Sequence, residues 1–153
     1  MQTHTITLRE LTIRYAAKAD PAGQPILIGR TLNAPQAVAA ALTAVLRDEP
    51  SEVFAILCLS TIHRVIAYHE VSRGTLDCTL VHPREVFKAA LLANAAAIIL
   101  AHNHPSGDPT PSPEDTDVTT RLRTAGTLLG VEVLDHVVIG ENRYVSFRET
   151  GRW

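Results

Sequence analysis

Hydrophobic positions along the chain change period several times, and each change marks an element. ITLRELTIRY, residues 6–15, alternates apolar and polar residues with a phase slip at Arg9 and Glu10, the pattern of a bulged strand or of two short strands at a sheet edge. From Asn33 as N-cap, Val38, Ala41, Leu42, Val45 and Leu46 recur at helical spacing until Asp48, Glu49 and Pro50 stop them. VFAILCLS (53–60) and RVIAYHEV (64–71) predict two strands about a turn at Thr61, Ile62 and His63, and after a break at Gly74 the segment TLDCTLV (75–81) predicts another. Pro83 opens a second helix, HPREVFKAALLAN, ending near Asn94. AAAIILAH (95–102) is a buried strand by its isoleucines and its shortness. Ser112 and Pro113 start a third helix, stopped at Gly130, and VEVLDHVVIG and RYVSF close the chain as two strands about a turn at Gly140 to Asn142. The expected architecture is α/β (α+β): about three helices on a largely antiparallel or mixed β-sheet in a single domain.

Composition narrows the function classes. With 153 residues and 46% apolar content the chain supports one domain with a hydrophobic core. Fourteen Lys plus Arg stand against 16 Asp plus Glu, so no general basic field exists to grip a phosphate backbone. Arg9, Glu10 and Arg14 interrupt the place where a secretory signal needs its apolar stretch, and AAAIILA (95–101) is too short to span a bilayer; a soluble, cytoplasmic protein is expected. Cys58 and Cys78 sit in apolar strand contexts, which fits buried thiols in a reducing compartment better than a disulfide or a zinc pair.

The chemistry concentrates in AHNHPSGDPTPSPED, residues 101–115. His102 and His104 are two apart at a strand end, so their side chains share a face and can reach one point. Neutral imidazoles suit zinc, whose catalytic sites commonly combine three His and carboxylate ligands with one open position. Asp115 is the best third ligand, because Ser112, Pro113, Glu114 and Asp115 have the form of a capped helix start; Glu114, Asp117 and Asp108 are rivals on proximity. Taken singly, the histidine pair reads as two partly exposed hydrogen-bonded side chains and the Ser-Pro-Glu-Asp run as a helix cap. Joined by the stiff connection through Pro105, Ser106, Gly107, Pro109 and Pro111, they favour a metal site. Elsewhere, Asp135 and His136 interrupt an apolar strand and read first as a satisfied turn or strand-edge pair, with a hydrogen bond behind the metal ligands as the alternative. His82, Arg84 and Glu85 read as helix capping, His4, His63 and His69 have no partner at useful spacing, and Ser106 has no base placed to make it a nucleophile.

His102-x-His104-Pro105, six residues, Ser112, two residues, Asp115 resembles the JAMM motif of the MPN (JAB1/MPN/Mov34) metallopeptidases, in which a distant upstream glutamate precedes His-x-His-Pro-x6-Ser-x2-Asp. The longer text from GTLDCTLVHPREVF to SPEDTD, followed by GVEVLDHVVIG and YVSF, is similar to the RadC-like branch of that superfamily, historically labelled DNA repair proteins. The resemblance covers roughly residue 31 to the C-terminus. It implies a cytidine-deaminase-like, JAB1/MPN-type fold over 31–153 with residues 1–30 as an N-terminal strand extension. It also implies zinc held by His102, His104 and Asp115 with a water, and Ser112 near the oxyanion position. The general base it implies stands at the start of the strand after the first helix; SEVFAIL matches that context, which assigns the role to Glu52, with Glu70 as runner-up.

The implied function is a zinc metallopeptidase or isopeptidase acting on a peptide or protein substrate. The alternative, from the branch's repair label, is a non-catalytic zinc-containing scaffold that meets nucleic acid only through a DNA-processing complex; a metal-dependent nuclease ranks below both. Departures from the wider family limit the transfer. No helix-hairpin-helix segment is expected before Asn33, no ubiquitin-holding insertion is visible, and Asn103 stands between the histidines where Ser or Thr is common in eukaryotic members, although Asn fits the RadC-like branch.

Overall fold

The computed structural model describes residues 29–32, 34–74 and 81–153, and within them three helices and five strands. β1 (Val53–Leu59) and β3 (Ala97–Asn103) are buried along their whole length. Both are covered on two faces, which is why their sequences run apolar instead of alternating. They pair antiparallel at the middle of the sheet, β2 (Val65–Arg73) adds antiparallel to β1, β4 (Glu132–Ile139) adds parallel to β3, and β5 (Tyr144–Ser146) adds antiparallel to β4. The order is β2-β1-β3-β4-β5, the mixed sheet that the pattern predicts. Among the described residues no helix is long and apolar enough to cross a membrane.

Alternation along β1 divides the core. Val53, Ala55, Leu57 and Leu59 meet Val38, Leu42 and Leu46 of α1 (Pro35–Leu46). Phe54, Ile56 and Cys58 face the other way, onto Val86 and Phe87 of α2 (Pro83–Leu92) and Val118 and Leu122 of α3 (Pro113–Leu129). Each large apolar side chain so buried contributes about 1.5–3 kcal/mol. Burial also pushes the Cys58 thiol up to about 11, the state of an unreactive core cysteine. α3 is the crossover that the parallel β3–β4 pair requires, so its N-terminus lies at the carboxyl end of β3.

One irregularity matters for the site. Ile98 pairs with Val133 but Ile99 pairs with Asp135, so β4 carries an extra residue at Leu134. Val133 packs beneath α2 and α3, whereas Val137 and Ile139 pack on the α1 side. The bulge reverses the inside-outside phase midway, and His136 takes the α3 face that simple alternation from Val133 assigns to Asp135.

The helix signals hold at their ends with one correction. α1 starts at Pro35 and its N-cap is Ala34, which makes no side-chain cap bond, instead of Asn33. Proline is suited to the first helical position by its fixed φ and missing N–H, and that pins the start one residue later. His82 caps α2 by accepting from the Arg84 N–H, a full capping box links Ser112 and Asp115, and Gly130 ends α3 with left-handed φ of 71°. The expected strand at 6–15, residues 75–80 of the one expected at 75–81, Asn33, His4 and Cys78 lie outside the described residues.

Gly126 lets α3 approach β4: a Cβ there would stand 2.5 Å from the Val131 carbonyl oxygen and 3.2 Å from Phe87 Cζ. Alanine is the better helix former by about 0.5–1 kcal/mol, but a forced overpacking of about 1–3 kcal/mol outweighs it. Thermal unfolding of Gly126→Ala is therefore expected about 2–6 °C below wild type; an equal or higher midpoint would show that the two elements can separate without cost.

Candidate metal centre

β3 delivers His102 beneath α3, on the face that carries Ile98 and Leu100, and the ring is fully buried. His104 lies just past the strand, its backbone kept in line by a 2.9 Å hydrogen bond from its N–H to the Ile139 carbonyl. Strand periodicity then brings both Nε2 atoms to the same side, 2.9 Å apart. The third group arrives from α3. In the capping box the Ser112 hydroxyl accepts from the Asp115 N–H, while the Ser112 N–H donates to Asp115 Oδ2 at 2.7 Å. This turns the Asp115 carboxylate inward, where Oδ1 lies 3.2 Å from His102 Nε2 and Oδ2 3.5 Å from His104 Nε2. The ligand-type atoms of His102, His104 and Asp115 all fall within 4.8 Å of one another, and the cluster could hold a metal ion. Of the rivals, Glu114 and Asp117 are exposed on α3, and the Asp108 carboxylate is engaged by Thr110 and Arg143.

Both imidazoles are braced from behind. His104 Nδ1 donates to the Asp108 carbonyl at 2.7 Å, a bond that requires the proton on Nδ1 and turns Nε2 toward Asp115. The loop that supplies this carbonyl packs directly on Gly140, where a Cβ would collide with the Gly107 carbonyl oxygen. His102 Nδ1 lies 2.8 Å from His136 Nε2, and His136 Nδ1 lies 2.6 Å from the Thr119 hydroxyl. His136 is fully buried, stacked on Phe147 at 4.8 Å and edge-on to Phe54 at 5.5 Å. This overturns the preferred reading of His136 as a turn or strand-edge residue, because the β4 bulge carries it inward. Asp135 does fit that reading: it accepts from the Ser146 hydroxyl and the Arg148 N–H.

The two candidate glutamates separate. Glu52, just ahead of β1, has Oε1 3.9 Å from His104 Nε2. Glu70 is gripped by the Arg73 guanidinium through two 2.8 Å bonds. Glu52 owes its position to Asn103, whose buried side-chain oxygen accepts from the Val53 N–H at 2.7 Å while its amide donates to the Glu49 and Ser51 carbonyls. From the other side the Gly74 N–H holds the Glu52 carbonyl at 2.8 Å. No motif predicts the Asn103 clamp. Thr119 left a usable signal, since it stands one helical turn from Asp115 on the same α3 stripe as Val118 and Leu122.

The electrostatics follow from burial and contact. Burial alone would raise the Asp115 carboxyl, but hydrogen bonds with His102, His104 and the Ser112 N–H more than reverse this and hold it well below the usual carboxylate range. His104 is raised, chiefly by its bond to Asp115 and against its own burial. His136 is held well below the usual imidazole value by burial and then by its proximity to His102.

Replacing Asn103 by alanine would strand the buried Val53 N–H and cut two further bonds to the Glu52 segment. A loss of about 1–3 kcal/mol per stranded buried group is expected in urea unfolding. A midpoint within experimental error of wild type would show that the clamp holds nothing.

A sequence profile for the RadC-like JAB domain matches residues 32–152. A UPF0758 protein of Desulfitobacterium hafniense is 49% identical over 138 residues, 90% of this chain and 59% of that protein. A UPF0758 protein of Thioalkalivibrio sulfidiphilus is 54% identical over 123 residues, 80% of this chain and 55% of its own length, and one of Methanosarcina barkeri is 46% identical over 122 residues, 80% and 53% respectively. The chain thus spans about half the length of the relatives it matches. With a paired-histidine and aspartate cluster at the carboxyl end of a JAB-type sheet, and with this profile running through the described helices and strands, the chain belongs to the RadC-like JAB domain family.

Proposed function

We propose that this domain is a zinc-dependent hydrolase of the JAMM type, cleaving a peptide or isopeptide bond. The observation that carries the reading is the donor set. Two imidazole nitrogens and one carboxylate converge at separations of 2.9, 3.2 and 3.5 Å, close to the ~3.3 Å edge of a tetrahedron with bonds of ~2.0–2.1 Å. A nitrogen-rich site of this kind suits zinc, whereas magnesium and calcium prefer oxygen ligands. His102, His104 and Asp115 would hold the zinc ion, which would supply an acidified water and polarisation of a carbonyl oxygen.

The protein's own groups supply the remainder. The Glu52 carboxylate, beside His104 and half-buried, takes a proton from the attacking water and returns it to the leaving amine. The Ser112 hydroxyl uses its oxygen to cap α3, which leaves its proton to donate toward the charge that develops on the substrate oxygen. Near-neutral composition with one carboxylate among the three ligands supports carbonyl over phosphodiester chemistry.

Metal analysis by mass spectrometry of untagged protein purified without added zinc is expected to give about one zinc per chain, with a clear loss in Asp115→Ala; well-folded wild type without bound metal would overturn the reading. Glu52→Gln is expected to keep its metal and to lose peptide or isopeptide hydrolysis by about 10²–10⁴-fold. Equal turnover by the two proteins, in an assay over mixed peptide and isopeptide substrates, would remove Glu52 from the role.

A further inference from the structure

We propose that Asp135 is a positioning residue for the metal centre: without bonding to any of the three ligands, it locks together the His136 and Phe147 rings that stand behind His102. The inference rests on the zinc reading of the centre, and it holds whichever ring carries the proton between His102 and His136.

The ladder between β4 and β5 explains why an acceptor is needed there. Val138 pairs with Val145 and Val137 with Ser146, so the next residues in register are His136 and Phe147. An antiparallel pair of the hydrogen-bonded kind exchanges two bonds. Here one is made: the Phe147 N–H donates to the His136 carbonyl at 2.9 Å, while the Phe147 carbonyl has turned away to accept from the Arg152 N–H. A buried backbone N–H has to find another acceptor, and Asp135 Oδ1 takes the place of the missing carbonyl, accepting from the His136 N–H at 2.7 Å.

The same carboxylate reaches across to the C-terminal turn. Oδ1 also accepts from the Arg148 N–H at 3.1 Å, and Oδ2 accepts from the Ser146 hydroxyl. Ser146 and Arg148 are the two residues that flank Phe147, so the three bonds hold Phe147 against His136 from both sides. The two rings stack at 4.8 Å with planes 17° apart, and both are fully buried. Beyond them His136 Nε2 stands 2.8 Å from His102 Nδ1. Asp135 sits next to the extra residue of the β4 bulge, so it fixes the backbone at the point where the strand's phase reverses and His136 is turned inward. A displacement there reaches His102 through a single ring contact.

Two measurements test this. Zinc affinity, read by chelator competition, should fall about 10–100-fold in Asp135→Ala, the range for a lost support behind a metal ligand, and should recover in Asp135→Asn, whose side-chain oxygen still accepts from both N–H groups. In metal-free protein at one fixed pH, the carbon-bound ring protons of His136 should resonate upfield in wild type, because they lie over the Phe147 ring, and should move downfield in Asp135→Ala. Wild-type zinc affinity or unmoved ring signals in Asp135→Ala would overturn the proposal, however much stability the variant loses. Ser146→Ala removes one of the three bonds and keeps the question open to test if Asp135→Ala does not fold: the same movement of the ring signals is expected in smaller measure, and its absence would sink the idea. Wild type that binds no zinc would instead refute the hydrolase reading, while the metal-free ring signals would still decide whether Asp135 holds the two rings.

Discussion

A carboxylate taken almost wholly out of water has to be compensated, because an uncompensated buried charge costs several kcal/mol. Asp115 is 2% exposed. The Ser112 N–H answers one oxygen, and two imidazoles answer the rest. Its place in the first turn of α3 adds the positive end of the helix dipole. These compensations also define the centre: Asp115 and the two histidines turn their ligand-type atoms to one place, where the cluster could hold a metal ion.

The topology explains why the groups meet at one end of the sheet. A parallel β3–β4 pair demands a crossover, and the crossover helix must begin where β3 ends. The antiparallel β1 begins at the same end, so Glu52 at its start comes beside His104 at the end of β3. Residues from three separated stretches of chain converge through strand directions alone, and the short connections hold them there. Asn103 ties the β1 start to β3, and the Asp108 carbonyl ties the 104–110 loop to His104.

Much of this was legible in the chain. The apolar runs of β1 and β3, the helical stripes and the Pro and Gly punctuation identify nearly every described element, with α1 displaced by one residue because Pro35 sets its start. His102, His104 and Asp115 could be named because each rests on a local rule: a two-residue strand period for the histidines, and a capping box for the aspartate. Choosing between Glu52 and Glu70 drew on resemblance, since each glutamate belongs to a plausible strand.

His136 and Asn103 mark where reading along the chain stops. An alternation count along VEVLDHVVIG assigns faces on the premise of an unbroken pleat, and the bulge at Leu134 breaks it. That bulge exists only in register with β3, so no inspection of β4 by itself reveals that His136 points into the site. Asn103 likewise acquires its clamp from partners some fifty residues away in sequence. The sequence by itself determined nearly all the described elements, their order and the residue types of the candidate centre, because periods, caps and turn residues are local physics. Only the tertiary structure decided which side chains stand behind the ligands and which glutamate stands beside them, because those contacts depend on register between strands, and register is a property of the pair.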